Sequence, residues 1–499
     1  MRKWLALLGG VVLALALVVG VKTVTMPSRQ VAATAVKPVA VDVAAASNRL
    51  AAAVRLKTIA SATDVDANAG EFLALQAHLQ ASFPKAHAVL RRELIGKYGL
   101  LYTWAGSDAQ AAPIALMAHQ DVVPVAPGTE GDWQAAPFSG TQKDGFVWGR
   151  GAWDDKGNLM SIMEAVELRV AAGFQPRQTI YLAFGQDEEV GGERGARRIA
   201  ALLKERGIRL RFAIDEGMLI TEGAIAGLAR PAALIGVAEK GFLTVELVAT
   251  ATPGHSSMPP VVAGTSAIGM LSAALARLEK EQMPLEIRGV ARETFESLAP
   301  EMGGLNRVLL SNLWLFRPLV ESQLKTMASA NASLRTTTAL TVVNAGQAEN
   351  VLPGRATALV NFRLLPGDTS EAVVDHVVRI VANPAIRVER QTPFSEASRV
   401  ASTDAPGYRA IARTLRELHS DVVVAPGLMV GGTDSHHFDP VAANVYKFSP
   451  MRARLEDLKR FHGTNERIST ANYVEMIQFY HQLIGNASSA DTSQDRSLP

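Results

Sequence analysis

The sequence predicts an α/β protein whose helix-flanked sheet is interrupted by a smaller α+β insertion. Three observations predict it. From residue 47, short apolar runs alternate with longer segments of helical period, the pattern of a largely parallel sheet with crossover helices. Near 241 the pattern changes to alternating strand runs around a long Leu- and Ala-rich stretch, and near 399 the first pattern returns. Clusters of Asp, Glu and His directly follow three of the apolar runs, where an open α/β sheet binds its ligands.

The elements follow in order. Residues 1–21 join the basic start Met1-Arg2-Lys3 to an uncharged run, Leu5–Val21, that ends at Lys22. This run is slightly long for a signal-peptide core and at the short limit for a spanning helix. The basic flank keeps to the cytoplasmic side. The expectation is therefore an exported, periplasmic or extracytoplasmic protein, either held by a single membrane anchor or released by cleavage near Val31–Ala35. Residues 22–46, rich in Ala, Val, Thr and Pro, read as a linker.

The first part of the larger domain spans 47–240. It opens with helices at 47–59 and 70–81, followed by a buried strand at Ile114–Met117. A helix at about 158–171 places Leu159, Ile162, Met163, Val166 and Val170 on one face. A strand at 179–184, a helix at 194–206 closed by Gly207, and a strand at 212–214 complete this part. The insertion spans 241–398. Strands are expected at 242–248, 339–343, 356–364 and 386–391, with a helix at 369–382 and a mostly helical stretch at 265–335. The larger domain resumes over 399–490 with a helix at 405–418 and an apolar run at 422–424, and 491–499 form a tail.

Composition narrows the chemistry. Lys plus Arg is 50 and Asp plus Glu is 48, a balance without the basic excess of a nucleic-acid binder. With 48% hydrophobic residues, the chain can fold around its own core. There is no cysteine, so thiol nucleophiles, cysteine zinc sites and iron–sulfur clusters are excluded. Any metal must be held by His, Asp and Glu.

Four clusters carry those residues: His119-Gln120-Asp121; Gly149 to Gly157, containing Asp154 and Asp155; Asp187-Glu188-Glu189; and Asp215-Glu216-Gly217. Each alone is common in solvated loops or at helix N-termini. In this order and at strand ends, they converge on one crevice. So many carboxylates repel one another, and two divalent cations resolve the repulsion. One carboxylate then bridges, and another stays off the metals to take a proton from water.

Together the four clusters resemble the M20 metallopeptidases, most closely the carboxypeptidase S and N-acyl-amino-acid hydrolase branch, over residues 47 to 485. The resemblance implies a di-zinc exopeptidase-like catalytic domain with an inserted α+β lid. His119 and Asp215 would bind one metal, Asp154 would bridge, and Glu189 would bind the second. Glu188 would be the general base, and Asp121 would orient His119. Phe461-His462-Gly463-Thr464-Asn465-Glu466 resembles the family's closing motif, so His462 would complete the second site. His436 and His437, in a further branch motif, are rival ligands.

In the insertion, Thr252 to Ser257 resembles the segment whose histidine, here His255, stabilises the oxyanion. Asn361 to Gly367 resembles the segment whose arginine, here Arg363, grips the substrate carboxylate. Asn350 is a further substrate-contact candidate, and Trp153 and the 265–335 stretch would shape the pocket. The resemblance implies two Zn2+ per subunit, with Co2+ or Mn2+ fitting the same donors. It implies hydrolysis of an amide bond in peptides with a free C-terminal carboxylate or in N-acyl amino acids. A homodimer through the lid is the arrangement in which a partner subunit supplies His255. The competing readings are a di-zinc aminopeptidase, which would need neither the insertion nor the 361–367 segment, and an inactive binding protein on the same fold.

Overall fold

In the computed structural model, residues 2–489 are described; the tail expected at 491–499 lies outside the described residues. Helix α1 (Arg2–Thr25) comes first, and none of its residues is buried. The next residues are fastened to the body, although the sequence reads as a linker there. The Gln30 side chain donates to the Val424 carbonyl at 2.9 Å and accepts from the Val424 amide at 2.8 Å.

The larger unit begins with α2 (Val43–Val54), whose first turn is capped by the Asp42 carboxylate. Then come α3 (Ala69–Ser82), α4 (Pro84–Val89), β1 (Arg91–Ile95), β2 (Gly99–Trp104), β3 (Ile114–His119), β4 (Thr141–Lys143) and β5 (Phe146–Trp148). They are followed by α5 (Lys156–Ala171), β6 (Ile180–Gly185), α6 (Ala196–Glu205), β7 (Phe212–Thr221) and β8 (Ala232–Glu239). The smaller unit opens with β9 (Gly241–Thr250), β10 (Gly254–His255) and α7 (Ala267–Lys280). The helices α8 (Gly289–Leu298), α9 (Gly304–Ser311), α10 (Leu313–Leu324) and α11 (Ala328–Leu334) follow. It closes with β11 (Thr337–Ala345), β12 (Val351–Leu352), β13 (Arg355–Leu364), α12 (Ser370–Val381) and β14 (Ile386–Arg390). The chain then returns through α13 (Pro406–Leu418), β15 (Val423–Met429), β16 (Val445–Ala453), β17 (Arg467–Ser469) and α14 (Thr470–Ser488).

The larger sheet has the order β1-β2-β6-β3-β7-β16-β8-β15. Its centre is parallel: β3 pairs with β6 and β7, and β16 pairs with β7. Every residue of β3 and β6 is buried, which explains their unbroken apolar runs. Helices α5, α13 and α14 share one core with this sheet, and α6 belongs to a second core that includes Leu101, Met117 and Ala183. This order sets the carboxyl ends of β3 and β6 side by side, with the middle of β7 next to them.

The smaller sheet is antiparallel, β11-β13-β9-β14. Burial alternates along β9 and β13 because one face packs on a core that includes residues of α7 and α12. The helical stretch read at 265–335 divides in two. Helix α7 serves the smaller sheet, whereas α8 packs on β15, the edge of the larger one. The Thr294 hydroxyl of α8 donates to the Pro426 carbonyl at 2.8 Å. An uncovered edge strand invites pairing with other chains, and α8 covers this one.

Candidate active site

His119 ends β3 and is fully buried. Its Nε2 lies 2.9 Å from Asp154 Oδ1 and 3.3 Å from Glu216 Oε1. Its Nδ1 lies 3.0 Å from the Asp121 carbonyl and 3.2 Å from Asp121 Oδ1, which holds the ring in one orientation. Asp154 reaches the site from the Gly-rich loop before α5, and its peptide bond to Asp155 is cis. The second oxygen of Asp154 lies 2.8 Å from His462 Nε2, which also lies 3.3 Å from Glu189 Oε2.

Two ligand groups therefore share one carboxylate. His119, Asp154 and Glu216 converge on one side, and Asp154, Glu189 and His462 on the other, with ligand atoms of each group within 4.8 Å of one another. His119, Glu188 and Glu189 form a third such group. The donors fit two divalent cations: each side offers an imidazole and a carboxylate, and Asp154 faces both. Glu189 Oε1 is buried with no hydrogen-bond partner among the described residues, an orphaned acceptor that a cation would satisfy.

The protonation pattern fits the same reading. Burial works against a charge on His119, but the Glu216 carboxylate and the contacts to Asp121 and Asp154 hold its pKa well above the usual imidazole value. The Asp154 and Glu189 carboxylates push His462 up to about 10. Burial raises Asp154, yet the two histidines outweigh it and hold the carboxyl below its ordinary range. Burial lifts Glu188 well above a usual carboxyl and, with Asp154 beside it, takes Glu216 up to about 8. Without a metal, protons on imidazole and carboxyl groups provide the positive charge that the acids require.

The third acidic pair divides between two environments. Asp215 and Glu216 are successive residues of β7 and so point to opposite faces. Glu216 faces His119. Asp215 pairs in register with Lys447 of β16, feels the charges of His119 and Lys447, keeps one buried oxygen without a hydrogen-bond partner, and joins none of the ligand groups among the described residues. The rival histidines also stand apart from these groups. His436 Nδ1 contacts the Thr433 carbonyl at 2.6 Å, and His437 Nε2 contacts the Gly191 carbonyl at 3.1 Å.

Three further residues organise the site. The Asp121 carboxylate accepts from the Glu188 and Glu189 amides, both at 3.1 Å, and so fixes the turn that carries them. Glu466 Oε1 accepts from the amides of Gly151, Trp153 and Asp154 at 2.9, 2.9 and 3.1 Å. Arg150 pairs with Glu466 Oε2 at 2.5 Å and donates to the carbonyls of His462 and Gly463. Glu216, Arg150 and Glu466 lie within the motifs read from the sequence, which assigns them no role. The available signals were strand alternation for Glu216, and one charge of each sign in the two Gly-containing loops for the pair.

The smaller unit holds the remaining candidates. His255 and Asn350 meet at the β10–β12 pair: His255 is registered opposite Val351, and the Ser256 amide donates to the Asn350 carbonyl at 3.0 Å. His255 is exposed, its Nδ1 lies 2.7 Å from the Ser257 hydroxyl, and it makes no hydrogen bond or ion pair with the ligand groups among the described residues. A groove of about 670 Å³ runs beside it, with Met258, Pro260, Met270 and Leu352 in its wall. Arg363 on β13 lies over the Phe242 ring at 5.1 Å and makes no ion pair among the described residues. Trp153 is buried and packs edge-on to Phe461, the neighbour of His462.

Comparison with known proteins adds to this geometry. Residues 115–486 match the model of peptidase family M20/M25/M40. An N-fatty-acyl-amino acid synthase/hydrolase, PM20D1.1 of Danio rerio, is 42% identical over 90% of this chain and 85% of its own length. A probable carboxypeptidase S-like 2 of Dictyostelium discoideum is 38% identical over 88% of this chain and 84% of its own. Among solved structures, the M20 family metallo-carboxypeptidase Sso-CP2 of Sulfolobus solfataricus has a TM-score of 0.66 at 18% identity. That match covers 89% of this chain and 99% of the other.

Proposed function

The chain belongs to peptidase family M20/M25/M40, and from that premise we propose that it hydrolyses the amide bond of N-acyl amino acids with an apolar acyl group. Its broader class is a metal-dependent amide hydrolase of the carboxypeptidase or acylase type. The observation that carries the reading is Asp154, set between His119 and His462 with Glu188 beside them. His119, Glu216, Asp154, Glu189 and His462 would hold two Zn2+, and the same donors accept Co2+ or Mn2+. When bound, such a pair supplies Lewis-acid polarisation of the scissile carbonyl and of water.

The remaining steps belong to the chain's own side chains. Glu188 takes a proton from the attacking water and returns it to the leaving nitrogen, a task for a carboxylate beside both ligand groups. Asp121 holds Glu188 and His119 in place through the contacts described above. Arg363 receives the free carboxylate of the substrate, a task that suits a guanidinium with no ion pair among the described residues. His255 and Asn350 approach the reacting carbonyl from the smaller unit, which acts as a lid joined through Glu239–Gly241 and the return segment near 398. The groove beside His255 is the place for the acyl chain. A homodimer through the lid would use the exposed edge strand β11. Helix α1, apolar enough to cross a bilayer, serves in this reading as an anchor that holds the enzyme on the outer side.

The test is a metal-loaded activity screen of long- and short-chain N-acyl amino acids against dipeptides with free and blocked C-termini. The reading expects the highest kcat/KM with long-chain acyl amino acids and little turnover of blocked substrates. Preference for dipeptides would move the enzyme to the carboxypeptidase side of its class.

A further inference from the structure

Helix α1 is attached to the body over its last turns only. No residue before Val19 makes a side-chain hydrogen bond, ion pair or ring contact to the body among the described residues. At the other end, Asn312 Nδ2 donates to the Val19 carbonyl at 3.3 Å and to the Thr23 hydroxyl at 2.9 Å. Arg307 Nε donates to the Thr23 carbonyl at 3.2 Å, and Lys22 Nζ lies 5.5 Å from the centre of the Trp314 ring. All three partners belong to α9, α10 or the residue between them. The chain leaving α1 is tied down as well, through Arg29 to Glu296 at 2.6 Å and through Gln30 to Val424. The direction of α1 relative to the body is thus set by specific contacts.

The depth of the body follows from this. Lys22 is the first charge after the uncharged run Leu5–Val21, so it marks the membrane–water boundary when α1 spans a bilayer. Trp314 stands at the same level, and indole rings favour that boundary. The helices that hold Lys22 also carry large exposed apolar groups: Leu305 is 69% exposed, Trp314 52% and Leu319 49%. Trp314 and Pro318 share one face of α10, being four residues apart, and Leu319 follows on the exposed flank of the same helix. An apolar patch beside a spanning helix and level with its boundary faces lipid headgroups and the first acyl carbons.

We infer that α9 and α10 form a second membrane contact, a surface-lying pair that rests on the bilayer beside the anchor and fixes how the catalytic unit faces it. This rests on the anchor reading of α1. The joint between the two units is tied to the following helix, since Lys240 Nζ donates to the carbonyls of Ala332 in α11 and of Arg335 just after it, each at 2.9 Å.

The cysteine-free sequence allows a direct test. Single variants Val12→Cys, Leu305→Cys, Leu319→Cys and Val378→Cys of the full chain carry a nitroxide label in phosphatidylcholine–phosphatidylglycerol nanodiscs. Collision rates with oxygen and with a neutral nickel chelate are then measured. Labels at 305 and 319 should resemble the label at 12, oxygen-rich and nickel-poor, while 378 on α12 reads as aqueous. Labels at 305 and 319 that match 378 overturn the contact while leaving the anchor intact. Shielding of 305 and 319 from both reagents means a protein covers the face, which overturns it as well. An aqueous reading at 12 removes the anchor first, and the contact with it.

Discussion

Arg150 and Glu466 form a fully buried ion pair that joins the two loops carrying Asp154 and His462. One oxygen of Glu466 collects three amides of the Asp154 loop. Arg150, on that same loop, grips the carbonyls of His462 and Gly463. His462 itself has a left-handed backbone, φ 55°, which a histidine holds only where neighbours impose it. The pair supplies that constraint and fixes the spacing between the bridging carboxylate and the far imidazole.

Removing one partner strands the other charge in the interior. Glu466→Ala should therefore lose about 3–5 kcal/mol of stability, with metal affinity falling about 10- to 100-fold. Arg150→Lys keeps the charge but loses the fork, so a smaller loss is expected. Thermal unfolding of the metal-stripped protein and metal titration measure the two effects separately. Unchanged metal affinity in a folded Glu466→Ala protein would count against the positioning role.

The alternation of β7 gives a second test. Glu216→Gln should weaken metal binding on the His119 side and remove most activity. Asp215→Asn should retain both metals, because Asp215 joins none of the ligand groups among the described residues. Metal content per chain after dialysis distinguishes the variants, and loss of one metal from Asp215→Asn alone would reverse the assignment.

Much of this site was legible in the sequence because its ligands occupy short polar motifs at the ends of apolar strands. The resemblance to the M20 metallopeptidases implies His119, Asp154, Glu188, Glu189 and His462, and the structure brings them together. The choice between Asp215 and Glu216 was not legible, since which face of a strand meets the crevice depends on register with β3 and β16. Arg150 and Glu466 were hidden for a different reason: their contact joins residues 316 apart in the chain. The division of the 265–335 stretch between two sheets was also beyond reach. Helical period shows that a face is apolar, but not which sheet edge it will cover.

The pH dependence of the metal-free protein follows from the raised histidines and carboxyls. His462 titrates at about 10 in the fold against 6.5 ordinarily, and Glu216 at about 8 against 4.5. The folded state therefore binds more protons than the unfolded state across this range, and stability falls as pH rises. The His462 contribution is fully present below 6.5 and is lost as pH rises through about 10. The Tm of metal-stripped protein should drop between about pH 6 and about pH 9. Metal binding should release protons and reverse that slope, since the ligands bind deprotonated. A metal-stripped Tm that rises over the same interval would contradict the arrangement.

Glu188 stands beside both ligand groups without being needed to complete either. A base in that place can be removed without dismantling the metal site. Glu188→Gln should lower kcat by about 10²- to 10⁴-fold while two metals per chain remain bound. Steady-state kinetics and metal analysis on the same preparation check both halves. Near-normal turnover would move the base elsewhere.

Arg363 separates recognition from chemistry. It projects from the smaller unit, stacks on Phe242 and makes no ion pair among the described residues, which leaves its guanidinium to a substrate carboxylate in the proposed reading. A hydrogen bond to a charged group contributes about 1.5–3 kcal/mol. Arg363→Ala should then raise KM for free-carboxylate substrates by about tenfold to a hundredfold, with a smaller change in kcat. Amidated analogues lack the charge, so their weak turnover should be nearly the same in both proteins. Arg363→Lys should recover part of the loss, because an ammonium retains the attraction but not the paired geometry. If the variant handles free and amidated substrates with the wild-type ratio, the carboxylate is held by another group.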